Sequence, residues 1–322
     1  MIRKLALGLL TMVGLALVGF AIFVSARQNL RFDAPYPPIM ASADSAVIAR
    51  GRHIVRDVAV CATCHSDPKL AGEIQAGAEV PLSGGRTWNI PPGRFYARNI
   101  TPDPETGLGR ISDQAVARAL RYGVGHDGRA LLPFMEMQGL SDQDLAAVVS
   151  YLRAQPPIRN VVPPQDFNLL GMVVRATVLA RPVGPRQAPP RVSPRGLTVE
   201  NGRYLAESVA LCWACHTQRD MRTGALVGPK YAGATGMEEQ DTPGVLWSPP
   251  NITADDKTGR LSGLSEDDFV ARLRAGRAIP GSPMPWQGFQ RMSDDELRAI
   301  YRYLKTVPPA ERDVGPPFVK KG

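Results

Sequence analysis

Apolar positions fall into two patterns, and the first is a single unbroken run near the N-terminus. Residues 5–24 contain no charged side chain. As a helix, about twenty residues rise some 30 Å, which is enough to cross the hydrocarbon core of a bilayer. Arg3 and Lys4 precede the run, so the positive-inside rule keeps the N-terminus in the cytoplasm. We therefore predict a transmembrane anchor with the rest of the chain exported. A signal peptide cleaved after Ala26 is the alternative, although cleavable apolar cores are usually about 7–15 residues long.

The second pattern has helical spacing, and it occurs twice along the chain. Both copies end in a helix that begins at a serine, Ser141 or Ser293, with an acidic residue three positions on, a capping-box-like start. The apolar spacing i, i+3, i+4, i+7 predicts a core-facing helix in each copy. Its positions are Leu145, Val148, Val149 and Leu152 in one copy and Leu297, Ile300, Tyr301 and Leu304 in the other. Further helices are predicted before each cysteine pair and from Ser112 and Ser265 onward. No alternating strand pattern is evident, so the predicted fold class is all-α.

The repetition extends to polar positions at an offset of 151 or 152 residues. The matching pieces are 51–52 with 202–203, 99–103 with 251–255, 141–145 with 293–297, and 151–157 with 303–309. A long period that occurs only twice indicates a duplicated domain, not a solenoid. The predicted organisation is an anchor at 1–26, a linker at 27–45, a first domain at 46–158, an interdomain linker at 159–196, a second domain at 197–312 and a tail at 313–322.

The interdomain linker contains a short apolar stretch at 167–180. Arg175 interrupts it, and it is too short to span a bilayer. Packing between the two domains is the favoured interpretation, and docking on a partner subunit or a membrane surface is the alternative.

The four cysteines of the chain all lie in one motif that each copy contains once. Cys61-Ala-Thr-Cys64-His65 and Cys212-Trp-Ala-Cys215-His216 both have the spacing of c-type haem attachment. Two thiols one helical turn apart can each form a thioether with a haem vinyl group. The adjoining imidazole then becomes the proximal ligand of the iron. The motif predicts two covalently bound haem c groups.

Other uses of paired cysteines explain the motif less well. An all-cysteine zinc site would leave the histidines at identical offsets unexplained. A redox-active C-x-x-C of the thioredoxin kind occurs in a βαβ context, whereas the flanks here are helical and rich in glycine and proline. Structural disulfides are common in exported proteins, but the trailing histidine argues against them.

The presence of a second axial ligand on the iron distinguishes an electron carrier from a catalyst, whose iron has an open position. In the second copy Met284 lies between two prolines, which would hold its loop in a fixed conformation. Met292 directly precedes the cap serine and is expected to pack in the core. We predict Met284 as the distal ligand there.

The first copy leaves the distal ligand more open, because its loop is shorter. Counting back from the cap serine pairs Leu132 with Met284, whereas aligning Gln138-Gly139 with the equivalent Gln-Gly of the second copy pairs Met135 with it. A loop deletion costs less than loss of a ligand, so we predict Met135, with Met137 next. His126 and His53 are further candidates. We favour a surface-loop position for His126, and a helix-surface or propionate-bonding role for His53.

The bulk charge adds little to this picture. The formal net charge is +8, and four haem propionates would bring it to about +4. No lysine- and arginine-rich run indicates a nucleic-acid partner.

Together the haem motifs, the Asn-Ile-Thr stretches, the Met-Pro-Trp loop and the Tyr-Leu…Pro-Pro endings resemble a tandem of two class I cytochrome c domains. The likeness covers roughly 46–310 and is greatest to the membrane-bound cytochrome c subunits of periplasmic alcohol, gluconate and sugar dehydrogenases. It implies that Gly51 and Gly202 let the first helix of each domain pack closely on an aromatic of the last, Tyr151 or Tyr303.

The resulting prediction is a dihaem cytochrome c anchored by one pass through the inner membrane, with its haem domains in the periplasm. It would relay single electrons between a dehydrogenase or quinol oxidase and a terminal acceptor, with redox proteins as partners. The alternative is a dihaem enzyme such as a peroxidase or a thiosulfate-oxidising cytochrome. The peroxidase needs an open iron and the thiosulfate enzyme a cysteine ligand, and no fifth cysteine exists.

Overall fold

A computed structural model describes residues 2–220 and 224–321. The helices are α1 (Ile2–Arg27), α2 (Ser45–His53), α3 (Ala62–His65), α4 (Ala71–Gln75), α5 (Asp113–Tyr122), α6 (Asp142–Ala154), α7 (Leu169–Thr177), α8 (Val199–Tyr204), α9 (Cys212–Cys215), α10 (Glu266–Arg274), α11 (Trp286–Phe289) and α12 (Asp294–Leu304). The strands are β1 (Thr87–Ile90), β2 (Gly93–Tyr96), β3 (Asp166–Phe167), β4 (Met237–Glu238), β5 (Val245–Trp247) and β6 (Phe318–Lys320).

The apolar N-terminal run forms the single helix α1, and none of its residues is buried inside the protein. By length and composition it is able to cross a membrane. The extended segment that follows lies against the first domain. Tyr36 stacks under the Arg118 guanidinium at 4.1 Å, and the Ala41 amide donates to Asp113 at 2.8 Å.

Each domain is built on a crossing of its first and last helices, α2 with α6 and α8 with α12. A glycine makes each crossing possible. A Cβ on Gly51 would lie 1.9 Å from the Ala147 carbonyl oxygen, and one on Gly202 would lie 1.8 Å from that of Ala299. Tyr151 and Tyr303 are the next neighbours of these positions, as the resemblance implies.

The predicted helix starts are correct, with one difference between the copies. Ser141 and Ser293 both accept a hydrogen bond from the amide three residues on. In the second domain the Glu296 carboxylate reaches back to complete the capping box. In the first domain Asp144 does not reach back, because its carboxylate binds Arg50 at 2.8 Å and the Tyr204 hydroxyl at 2.8 Å.

In the described part of the chain, two small antiparallel sheets accompany the helices, so the fold is mostly helical but not purely so. β1, β2 and β3 form one sheet and β4, β5 and β6 the other. The third strand of each sheet comes from a segment beyond the last helix of its domain: Gly93 pairs with Phe167, and Trp247 with Phe318. Strands of two to four residues are too short to produce a visible alternation of apolar and polar positions.

The two domains contact each other through equivalent positions, as a pseudo-twofold arrangement requires. A Cβ on Gly288 would lie 2.4 Å from the Asp57 carbonyl oxygen, and one on Gly139 would lie 2.5 Å from the Ser208 hydroxyl oxygen. Asp57 and Ser208 occupy matching positions of the two copies. Each domain thus inserts its Gln-Gly turn against the segment that precedes the other domain's cysteines.

Candidate haem-binding site

The chain approaches each cysteine pair through the same unusual backbone. A π-helical turn, Ile54–Val58 or Leu205–Val209, follows the first helix of each domain. Val60 and Leu211 then adopt positive φ values of 45° and 53° directly before Cys61 and Cys212. Left-handed backbone at a residue other than glycine costs about 1–3 kcal/mol and tends to persist where function requires it. The positive φ occurs in both copies and sets the direction of the backbone where each C-x-x-C-H motif begins. No feature of the sequence predicted this conformation.

The cysteines themselves occupy short helical turns, α3 and α9 with their flanking residues. None of the four is in a disulfide. Burial raises the pKa of Cys61 and of Cys212 to about 12. Among the described residues, no group of three or more histidine, cysteine, aspartate or glutamate side chains is arranged to hold a metal ion.

Both motif histidines are oriented by a backbone carbonyl. His65 Nδ1 lies 2.8 Å from the Arg98 carbonyl oxygen, and His216 Nδ1 lies 2.8 Å from that of Pro250. An N–H at Nδ1 that donates to a carbonyl leaves Nε2 as the lone-pair nitrogen for a metal. Burial lowers the pKa of both imidazoles, which favours the neutral form that a metal requires.

The repeated Asn-Ile-Thr stretches hold those carbonyls in place. Asn99, which follows Arg98, is buried and donates to the Ile158 carbonyl at 2.8 Å, while its side-chain oxygen accepts from the Thr101 hydroxyl at 2.7 Å. The second copy repeats the arrangement at 251–253. These polar groups are paired with one another and with the backbone, so they stabilise the turn that presents each carbonyl to its histidine.

A buried polar group in the second domain fits the carboxylate side of a haem. Arg277 Nη1 and Gln287 Oε1 are buried and lack a hydrogen-bond partner among the described residues. Burial lowers the pKa of Arg277. Both residues line a cleft that also contains Thr63 and the Ser282–Pro285 loop. A propionate is an acceptor that would satisfy the unpaired Nη1 of half-buried Arg277.

The predicted distal residues lie in the loop before α6 in the first domain and in the loop before α11 in the second. Met284 and Met137 are half-buried and pack against the hydrophobic core. Met135 is also half-buried but is not among the residues packed against that core. Met292, only 1% exposed, is in the core as expected.

His126 is exposed on its loop. His53 is held between two carboxylates, 3.1 Å from Asp57 and 2.9 Å from Glu296. Methionine ligation remains a prediction.

An arginine connects each haem motif with the other domain. Arg86 donates to the Thr63 carbonyl at 3.2 Å and pairs with Asp241 of the second domain at 3.0 Å. Conversely, Arg219 donates to the Ala214 carbonyl at 3.3 Å and pairs with Glu136 of the first domain at 3.0 Å. Thr63 and Ala214 are the third residues of the two C-x-x-C-H motifs. We call these two contacts the reciprocal arginine bridges.

These geometries agree with the comparison to known proteins. The family model described as "Cytochrome c" matches residues 48–156 and 199–308. The chain belongs to the cytochrome c family. Each matched region contains one attachment motif, so the chain binds two haem c groups covalently.

Three relatives illustrate the similarity. The cytochrome c subunit of the quinone-dependent alcohol dehydrogenase of Gluconobacter oxydans is 31% identical over 83% of this chain and 56% of its own length. The gluconate 2-dehydrogenase cytochrome c subunit of Pantoea cypripedii is 30% identical over 82% of this chain and 60% of its own length. A dihaem cytochrome c-type protein of Cereibacter sphaeroides is 28% identical over 78% of this chain and 83% of its own length. The chain therefore spans little more than half of the two dehydrogenase subunits, and the predicted family resemblance is confirmed.

Proposed function

We propose that this cytochrome is a membrane-anchored electron-transfer subunit. It accepts single electrons from a dehydrogenase or quinol oxidase and passes them through its two haem domains to a terminal acceptor in the periplasm. The observation that carries the proposal is the pair of equivalent haem motifs within one folded unit, each connected with the other domain by an arginine bridge. Cytochrome subunits of dehydrogenases among the relatives support the same role.

The residues of the chain have distinct parts in this function. Cys61, Cys64 and His65 would hold one haem, and the residues at 212, 215 and 216 the other. The haem irons supply one-electron chemistry when bound. The protein fixes each imidazole through its carbonyl partner and keeps both groups at a constant separation through the Gln-Gly contacts. No substrate site is needed for a relay.

The distal ligands in this proposal are Met284 and Met135. The domain contacts support the register, because Gly288 and Gly139 occupy equivalent places at the interface. Met284 and Met135 each lie three residues before the glutamine of those Gln-Gly turns. A thioether favours Fe(II) and closes the iron to exogenous ligands, which suits a carrier better than a peroxidase.

Anchoring by α1 is the second part of the proposal. The helix is 26 residues long, residues 5–24 within it have no charged side chain, and Arg3 and Lys4 stand at its start. This composition supports a single pass through the inner membrane with the haem domains outside the cytoplasm. Replacing residues 1–26 by a cleavable signal should give soluble holoprotein, whereas an N-terminus at Arg27 in native membranes would show that the segment is removed.

The relay itself is tested by purifying the protein from its host membrane in mild detergent. We expect a dehydrogenase or quinol-oxidising subunit to accompany it, and its substrate to reduce both haems within the turnover time. Rapid binding of cyanide or peroxide to the unmodified protein would instead support the peroxidase alternative.

A further inference from the structure

The short apolar stretch after the first domain has its hydrophobic side facing outward. It forms α7 followed by a 3-10 turn, Val178–Ala180. Leu169, Leu170 and Val178 are 81%, 50% and 64% exposed, and buried Gly171 and Ala176 face the protein. Helices on the surface of a soluble domain normally have the opposite arrangement. An exposed apolar face of this kind marks an interaction surface.

The polar side chain on the outer face of α7, Thr177, has its hydroxyl donor satisfied within the helix. Successive residues of an α-helix are 100° apart, so Leu169, Leu170, Val173, Val174, Thr177 and Val178 share one side. The Thr177 hydroxyl donates to the Val173 carbonyl oxygen at 2.7 Å. This hydrogen bond satisfies the hydroxyl within the helix, so the outer face can enter an apolar environment without an unpaired donor.

The position of α7 indicates what covers this face. α7 packs on α1 near the end of the apolar span. The Arg27 guanidinium donates to the Ala176 carbonyl oxygen at 3.2 Å, and Arg175 donates to the Asn29 side chain at 3.1 Å. Further on, the Phe32 amide donates to the Gly128 carbonyl oxygen of the first domain at 2.8 Å. These contacts fix the first domain, α7 and the end of α1 as neighbours.

The charge-free run of α1 ends at Val24, so the bilayer surface would lie close to Arg27. α7 is then at the height of the lipid headgroups, beside Arg27 at the end of the span. A helix with leucine and valine on one exposed face, next to a basic residue at the end of a membrane span, is suited to lie in a membrane interface.

We propose that α7 lies in the interfacial layer of the bilayer that α1 crosses, with Leu169, Leu170 and Val178 inserted among the lipids. The inference rests on the proposed anchoring by α1. It adds that the first domain is held against the membrane surface and does not move freely on a tether. The haem of the first domain would then stay at a constant distance from the bilayer.

The test uses nitroxide labels on full-length holoprotein in phosphatidylethanolamine–phosphatidylglycerol vesicles. Because all four native cysteines form thioethers, an engineered cysteine is the only reactive thiol. Val178→Cys reports on α7, and Val192→Cys is the matched control, a valine of similar exposure (69%) outside α7. Leu15→Cys reports on α1 separately. Two covalent haems per chain confirm that each variant is folded.

We expect the label at 178 to collide with a polar nickel chelate at least about fivefold less often than the label at 192, and more often with oxygen. Leu169→Cys should behave like Val178→Cys, which guards against a local effect of either substitution. Equal nickel accessibility at 178 and 192, with the label at 15 immersed, would overturn the proposal while leaving the anchor intact. Nickel access at 15 would overturn the anchor itself. Protection at 178 only in native membranes, and not in the vesicles, would overturn the proposal in favour of a protein partner.

Discussion

The imidazole Nε2 of His53, in the first domain, lies 2.9 Å from a carboxylate oxygen of Glu296, in the second. The pseudo-twofold equivalent of His53 is Tyr204, whose hydroxyl donates to Asp144 at 2.8 Å. One half of the interface therefore contains a titratable ion pair and the other half a neutral donor. Of His53 and Tyr204, only His53 should therefore make the contact between the domains depend on pH.

The pH dependence follows from the environment of His53. Burial by itself would lower the pKa, but hydrogen bonds to Asp57 and Glu296 outweigh it and raise the pKa of His53 to about 9. Burial of Glu296 would raise its pKa, but the His53 hydrogen bond and charge, with Arg50, lower it to about 2. The His53 contribution is thus complete below about pH 6.5 and is lost as the pH rises to about 9. The Glu296 contribution is lost as the pH falls from about 4.5 to 2.

His53→Gln should remove the alkaline part of this profile. Thermal unfolding of the unmodified protein should lose stability by a few kcal/mol between pH 6.5 and 9, since each pKa unit corresponds to about 1.4 kcal/mol. The variant should be less stable at pH 6 and show a flatter curve above it. His126→Gln, on an exposed loop, is the control and should follow the unmodified protein. An unchanged alkaline slope in His53→Gln would refute the assignment.

The helix crossings give a prediction about stability. Gly51→Ala and Gly202→Ala place a Cβ within 2 Å of a carbonyl oxygen, at 1.9 Å and 1.8 Å respectively. The helices must separate, so we expect a loss of roughly 3 kcal/mol or more in the free energy of unfolding. Gly72→Ala is the matched control, because it lies in helix α4 with nothing within 4 Å of its Cβ position.

Gly72→Ala should raise stability by about 0.5–1 kcal/mol, since alanine is the better helix former. Urea unfolding followed by far-ultraviolet circular dichroism measures all three variants. If Gly51→Ala were tolerated as well as Gly72→Ala, the close crossing would not be required.

Much of this architecture could be predicted because it depends on local chemistry. The spacing of Cys61, Cys64 and His65 defines covalent attachment, and Ser141 and Ser293 cap helices by reaching only three residues along the chain. The sequence did not indicate features that depend on distant partners. Phe167 joins a strand because Gly93, far earlier in the chain, offers its edge.

The same limit applies to side chains at the domain interface. Asp144 occupies a capping position, yet it binds Arg50 and Tyr204 instead. Arg50 comes near it only through the crossing of α2 and α6, and Tyr204 only when the second domain is in place. His53 resembled a surface histidine for the same reason. The positive φ at Val60 also escaped prediction, since valine disfavours that conformation and the surrounding structure imposes it.

The reciprocal arginine bridges should influence the haem potentials. Removing a positive charge beside a haem motif stabilises the oxidised state of that haem. Arg219→Gln should therefore lower the reduction potential of the second haem by tens of millivolts. Glu136→Gln removes a negative charge and should raise it, and the double variant should return close to the original value. Potentiometric titration of the haem absorbance measures both irons.

The control for this experiment is the exposed pair of Lys257 and Glu311, joined at 2.9 Å. Screening makes surface pairs weak, so Lys257→Gln should shift the potentials by only a few millivolts. Shifts of equal size in Arg219→Gln and Lys257→Gln would mean that the bridge has no special effect on the haems.

The distal ligand of the first haem gives the sharpest test, because two observations favour different methionines. The Gln-Gly contacts at the interface pair Met135 with Met284. Core packing, however, groups Met137 with Met284. We expect Met135 to be the ligand, since register at a symmetric interface constrains the backbone, whereas a methionine side chain can pack in many ways.

Met135→Ala should therefore make the first haem high-spin and lower its potential, because the thioether that stabilises Fe(II) is lost. Met284→Ala should do the same to the second haem alone, and a fall of about 59 mV corresponds to a tenfold change in the redox equilibrium. Met137→Ala, Met292→Ala and His126→Ala should leave both haems low-spin. If Met135→Ala stays six-coordinate while Met137→Ala or His126→Ala becomes high-spin, the interface register does not define the ligand, and the shorter loop of the first domain has exchanged one ligand for another.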